Sequence, residues 1–197
     1  MGALVTSIQA AVDPLCPWSW RVAQWLGEVR SVRSVEVKWA ILSLEYLNRD
    51  QPQHPMMKRF KSNRAAMRLL GMTQGRAGDL KLEQLYWALG EAVHERGEPL
   101  DEEEVLRRAL AKAGLPGQWL REAFQDKELD RELWRMYGEL CSTGAFGVPT
   151  IFLGPSRVPY YGPVISRVPK GEEAGDLWDH VAGLARHEYF YELKRPR

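Results

Sequence analysis

Apolar positions along the chain first cluster at residues 3–12, where small and β-branched residues (Val5, Thr6, Ile8, Val12) run up to Asp13-Pro14. A continuous apolar run closed by a turn signal predicts a buried strand. Pro17 then stands where a helix's first residue would, and Trp18, Val22, Trp25, Leu26 and Val29 follow at helical spacing. The run SVEVKWAILSL, residues 34–44, alternates at first and is continuously apolar later, as a central strand does.

From Asn48 to about Gly147 the pattern changes to polar loops and amphipathic helices. Asp101 and Glu104 have the spacing of a capping box, Val105, Leu106, Ala109, Leu110 and Ala113 share a face, and Gly114 ends that helix. Leu129, Leu133, Met136 and Leu140 form a later stripe. Strand-like runs return at VPTIFLG (148–154) and RVPYYGPVI (157–165), and a last helix over about 172–186 carries Leu177, Trp178, Val181 and Leu184. The order βαβ, helices, ββα is that of an α/β thioredoxin-like fold interrupted by an all-helical insertion. The expected division is 1–48 and 147–197 for the two halves of the thioredoxin fold, and 49–146 for the helical insertion.

Charge narrows the function. Lys plus Arg number 27 against 26 for Asp plus Glu, so the formal net charge of +1 offers no electrostatic case for nucleic acid or an anionic membrane. No apolar run approaches a membrane span, and the apolar start lacks a basic leader and reads as a strand. The expected setting is a reducing cytoplasm, where an exposed cysteine is more often chemical than structural. Two cysteines cannot form a structural zinc site alone and the four histidines show no ligand spacing, so no metal is expected.

The candidate chemistry sits in DPLCPWSW, residues 13–20. A sulfur at a helix N-terminus faces unpaired N–H groups and the positive end of the helix dipole, which lower a thiol's pKa, so Cys16 is a candidate nucleophile; the competing reading is an inert buried cysteine. Ser19 stands where a second cysteine would complete C-x-x-C. Its hydroxyl can hydrogen-bond the Cys16 thiolate but cannot form a disulfide, and it can equally be an ordinary first-turn serine. Cys141 is either a distant resolving thiol or a core residue. Trp20, Trp25, Trp39 and Trp178 read as core.

DPLCPWSW, WAILSLEYLN (39–48), GVPTIFL (147–153), YGPVISRVPKGEEAGDLWD (161–179) and FYELKR (190–195) together resemble the actinobacterial mycothiol-dependent reductases of the DsbA-like superfamily. The resemblance implies attack by Cys16, positioning by Pro17, an aromatic wall from Trp18, and substrate docking at Val148 and Pro149, whose peptide bond is expected to be cis. It places Asn48 and His94 near the pocket, although a loop cap and a solvated helix histidine are the competing readings. It also implies mycothiol or a similar low-molecular-weight thiol as cosubstrate, with no tightly bound cofactor, reduction of disulfide, nitro-aromatic or similar electrophiles, and a possible homodimer. Ser19 departs from the family's C-P-W-C pattern, as a natural monothiol site or an introduced serine. A kappa-type glutathione transferase or its isomerase relatives, with Ser19 holding a bound thiolate, is the alternative.

Overall fold

The computed structural model describes residues 6–126, 128–153, 158–187 and 189–196, so the start of the first expected strand and the Gly154-Pro155 turn lie outside the described residues. Strand β1 (Thr6–Val12) and strand β2 (Val35–Ile41) pair in parallel, from Thr6 opposite Val35 to Val12 opposite Ile41. Helix α1 (Pro17–Val32) connects them and buries Trp20, Val22, Ala23, Trp25, Leu26 and Val29, the stripe that the periodicity predicts. Strand β3 (Thr150–Leu153) runs antiparallel to β1, with Ala10 opposite Ile151, and strand β4 (Val158–Tyr161) runs antiparallel to β3. The sheet order is β2-β1-β3-β4. Its two inner strands, β1 and β3, thus come from opposite ends of the sequence.

Between β2 and β3 the described chain is helical: α2 (Leu44–Leu47), α3 (Met57–Ser62), α4 (Arg64–Ala77), α5 (Asp79–His94), α6 (Glu103–Lys112), α7 (Trp119–Gln125) and α8 (Glu128–Ser142). Helix α9 (Glu172–Leu184) follows the sheet. Three of the sequence's details differ. The capping box at Asp101 and Glu104 does not form: α6 is capped at Glu102 without a side-chain bond, and Glu103 and Glu104 turn instead to Arg107, one turn along their own helix. In α8 the stripe centres on Leu133 and Tyr137, because Tyr137 packs against Tyr46, 5.5 Å between ring centres. At the end of α9 Leu184 is exposed, while Ala174 and Trp178 are buried against α1.

Two contacts set the frame around the head of α1. Trp25 Nε1 donates to the Ala174 carbonyl at 3.0 Å, and its ring lies 6.1 Å from Trp178, joining α1 to α9. On the other side Trp20 lies across α5, where Gly90 lets the two helices approach: a Cβ at that position would sit 2.4 Å from the indole ring. Tyr86 of α5 stacks on Trp39 of β2 at 5.7 Å. These aromatics are core, as the sequence indicates, and they fix α5 and its last residue, His94, beside the start of α1.

Candidate active site

Cys16 is the N-cap of α1, in extended conformation (φ −81°, ψ 113°), with Pro17 as the first helical residue. The Ser19 backbone N–H donates to Cys16 Sγ at 3.5 Å, and the thiol donates to the Val148 carbonyl, also at 3.5 Å. The residue after that carbonyl is Pro149, and the Val148–Pro149 peptide is cis. Segments 132 residues apart are thereby brought together at one sulfur.

A cavity of about 370 Å³ opens on this sulfur. Cys16, Pro17 and Trp18 line it from the head of α1, Val148 and Tyr161 from the β3–β4 part of the chain, and Met56, Arg59, Phe60 and His94 from the helical segment. Of the residues singled out from sequence, Cys16, Pro17, Trp18, His94 and Val148 therefore share one cavity. Ser19 and Pro149 are buried beneath it and do not line it. Asn48 does not reach it either: it closes α2, its Nδ2 donating to the Leu44 carbonyl at 2.8 Å, because a four-residue helix needs its end carbonyls satisfied. Cys141 is half-buried at the end of α8 and lies outside the cavity, and neither cysteine is in a disulfide.

The acidity of Cys16 departs from the sequence expectation. Its exposure is 4%, and burial pushes the thiol above its ordinary value, since a thiolate there would give up hydration. The Ser19 hydroxyl and the Ser19 N–H act in the opposite direction, and the Asp13 charge adds to the rise. Helix N–H groups are present as expected but are outweighed. The Ser19 Oγ itself has no well-formed hydrogen bond.

Asp13 was read from sequence only as a strand terminator. It is wholly buried, with Oδ1 accepting from Leu15 N at 2.8 Å and from Asn63 Nδ2 at 2.9 Å, and Oδ2 accepting from Leu44 N at 2.7 Å. One carboxylate thus ties the Cys16 loop to the exit of β2 and to the helical segment. Burial raises its pKa to about 6 against the pull of its three donors. Its place three residues before Cys16 was the signal available in the sequence.

His94 Nε2 lies 2.8 Å from the Pro14 carbonyl. A carbonyl only accepts, so Nε2 carries the hydrogen and the neutral ring leaves Nδ1 bare. Its pKa is lowered, mainly by burial, with the positive charges of Arg59 and Arg21 adding to the effect. Among the described residues no group of His, Cys, Asp and Glu is arranged to hold a metal ion.

A protein of Mycobacterium tuberculosis (strain ATCC 25618 / H37Rv), Uncharacterized protein Rv2286c, is 29% identical over 194 residues, covering 98% of this chain and 83% of that protein. Among solved structures, 2-hydroxychromene-2-carboxylate isomerase superposes with a TM-score of 0.65 at 14% identity, covering 91% of this chain and 95% of that one. The cytosolic disulfide reductase DsbM from Pseudomonas aeruginosa, solved with GSH, gives 0.56 at 16% identity, covering 90% and 100%. At such identities the likeness is one of fold, the DsbA-like thioredoxin fold. Residues 15–195 match the Rv2466c-like family, described as Mycothiol-dependent nitroreductase Rv2466c, and the chain belongs to that family of thiol-dependent oxidoreductases.

Proposed function

We propose that this protein is a cytoplasmic thiol-disulfide oxidoreductase that works through a single thiol, Cys16. The carrying observation is the placement of Cys16 on the lining of the cavity, with its Sγ against the Val148 carbonyl and at the head of α1. In the first step the Cys16 thiolate attacks one sulfur of a disulfide. The S–S bond breaks, the other half leaves as a thiolate, and a mixed disulfide forms at Cys16. Ser19 has no sulfur with which to resolve that adduct. A small thiol from outside, mycothiol or one like it, attacks the adduct, restores Cys16 and leaves as the new disulfide. Each such cycle consumes one outside thiol and frees one half of the substrate as a thiol; a second outside thiol, exchanging with the released mixed disulfide, frees the other half, and the two outside thiols end as their own disulfide with two electrons passed to the substrate.

In this reading Trp18 and His94 are walls of the substrate site, Pro17 fixes the helix start, and the Val148–Pro149 turn offers backbone for docking. Ser19 lowers the thiol's pKa against the effect of burial. The family description supports nitro-aromatic electrophiles as further substrates and mycothiol as the reductant. A homodimer accords with the resemblance seen in the sequence. The alternative in which Ser19 holds a bound thiolate, as in kappa-type glutathione transferases, is less well supported, because Ser19 is wholly buried while Cys16 lines the cavity.

The test is the intact mass of the protein after exposure to mycothiol disulfide or glutathione disulfide. One adduct mapped to Cys16, and lost on adding the free thiol, is the expected result. A protein that stays unmodified under conditions that label free cysteine overturns the reading.

A further inference from the structure

The wall that the helical segment contributes to the cavity is basic and aromatic. Phe60, Tyr161 and Trp18 all line the cavity, and among the described residues that line it none is an aspartate or glutamate. The first turn of α1 likewise carries no acidic side chain. Arg59 lines this cavity with no carboxylate partner among the described residues. Several arginines elsewhere on the described surface are paired, among them Arg30 with Glu83, Arg33 with Glu172, Arg64 with Glu45 and Arg167 with Glu173, whereas among the described residues Arg59 is unpaired on a cavity wall. Arg21 is a second cation of this kind: its guanidinium lies 4.9 Å over the Trp18 ring and donates to the Ile165 carbonyl at 3.4 Å. Both arginines are close enough to bear on the charge of His94, so among the described residues two cations without a carboxylate partner serve one apolar, aromatic cavity, Arg59 on its lining and Arg21 through the Trp18 ring.

We infer that the cavity takes a flat aromatic substrate carrying an anionic oxygen group, with Arg59 binding the anion while Trp18, Phe60 and Tyr161 enclose the ring and Cys16 meets the reacting sulfur. This rests on the thiol-disulfide reading above and adds the substrate class to it. An arginine presents planar paired donors that match a carboxylate, and Arg59, exposed at the cavity's edge, is free to offer both of them to a ligand that the rings hold. A neutral thiol gains nothing from Arg59, so the cosubstrate and the substrate are told apart by charge. Arg21, already engaged with Trp18 and Ile165, holds the wall and adds to the field.

Two aromatic disulfides separate charge from reactivity: 5,5′-dithiobis(2-nitrobenzoate), with two carboxylates, and the neutral bis(4-nitrophenyl) disulfide. Each releases one coloured aryl thiolate for each Cys16 converted to the mixed disulfide. Second-order rates are measured in a Cys141→Ala background, which leaves Cys16 as the sole thiol. Arg59→Gln is expected to slow the dianionic probe about tenfold, Arg59→Lys by less, and the neutral probe by less than twofold. Any change in the acidity of Cys16 would slow both probes alike, so the ratio isolates the anion contact. Equal effects on both probes, or none, overturn the inference.

A second arm needs no covalent step: calorimetric binding of 2-nitrobenzoate to Cys16→Ser should weaken about tenfold when Arg59→Gln is added. Binding that is absent, or indifferent to Arg59, also overturns it. If neither disulfide labels Cys16, the redox reading fails, and the nitrobenzoate arm still decides whether Arg59 holds an anion.

Discussion

Asp13→Asn tests the balance struck beneath the site. A carboxyl whose pKa is 3.8 in the unfolded chain and about 6 in the folded protein holds its proton more tightly when folded. Stability should therefore fall as pH rises from about 4 to about 6, and be level above that, with a total of about 3 kcal/mol at 1.36 kcal/mol per unit. Asparagine keeps the shape and removes the charge. At neutral pH it escapes that cost of burial, but its amide nitrogen then meets the Leu44 N–H, now bonded at 2.7 Å, and leaving that donor unmet costs about 1–3 kcal/mol. The two terms nearly cancel at pH 7, so a single measurement there is uninformative.

The slope against pH is the informative quantity. Urea unfolding of both proteins at intervals from pH 4 to pH 7 should show the wild type losing about 3 kcal/mol relative to Asp13→Asn across the range. Proton uptake is structurally feasible, because Asn63 Oδ1 has no hydrogen-bond partner and a turn of its amide would let it accept from a protonated Asp13. A flat difference would refute the argument. So would the opposite slope, in which the wild type gains on the variant as pH rises; that would mean the three donors outweigh burial and hold Asp13 as a carboxylate with lowered pKa.

Because burial raises the Cys16 thiol, its alkylation by iodoacetamide in a Cys141→Ala background should still be accelerating at about pH 8.5, the ordinary thiol value, and a plateau reached below that pH would contradict it. Ser19→Cys should place a second sulfur one turn from Cys16, so that intact mass without added thiol shows the mixed disulfide clearing to an internal disulfide; an equally long-lived adduct would mean residue 19 is not the resolving position. Gly90→Ala, whose Cβ would lie 2.4 Å from the Trp20 ring, should lower unfolding stability by about 1–3 kcal/mol even though alanine favours the helix; a stabilised variant in urea unfolding would show that the α1–α5 contact yields freely.

The sequence was readable where structure is local. Strand and helix periods place β1, α1, β2 and α9 within a few residues, and Cys16, Pro17 and Trp18 enter the cavity together because they are consecutive at one strand-to-helix junction. Val148 was readable through its motif. Arg59 and Phe60 were not, because HPMMKRF has no periodic signal and its place on the cavity wall exists only after α3 is set against the head of α1. The acidity of Cys16 was misjudged for a related reason: a helix N-terminus is visible in sequence, whereas the burial that outweighs it is a sum over the whole fold. Asp13 looked like punctuation because its three partners are spread from residue 15 to residue 63.

The pairing of β1 with β3 joins Ala10 to Ile151, and everything between β2 and β3 hangs outside that seam. The entropy of closing so long a loop grows only with the logarithm of its length, about 0.6 kcal/mol per doubling. Loop closure thus sets little limit on the length of the helical segment, provided that its contacts with Trp20, Trp39 and Asp13 are kept. In the proposed reading Arg59, Phe60 and His94 come from it while Cys16, Trp18, Val148 and Tyr161 come from the sheet and its margins, so the anion contact and the reacting sulfur lie on different stretches of the chain. A chimera that receives residues 49–146 from a relative should carry that relative's choice of substrate on this protein's thiol.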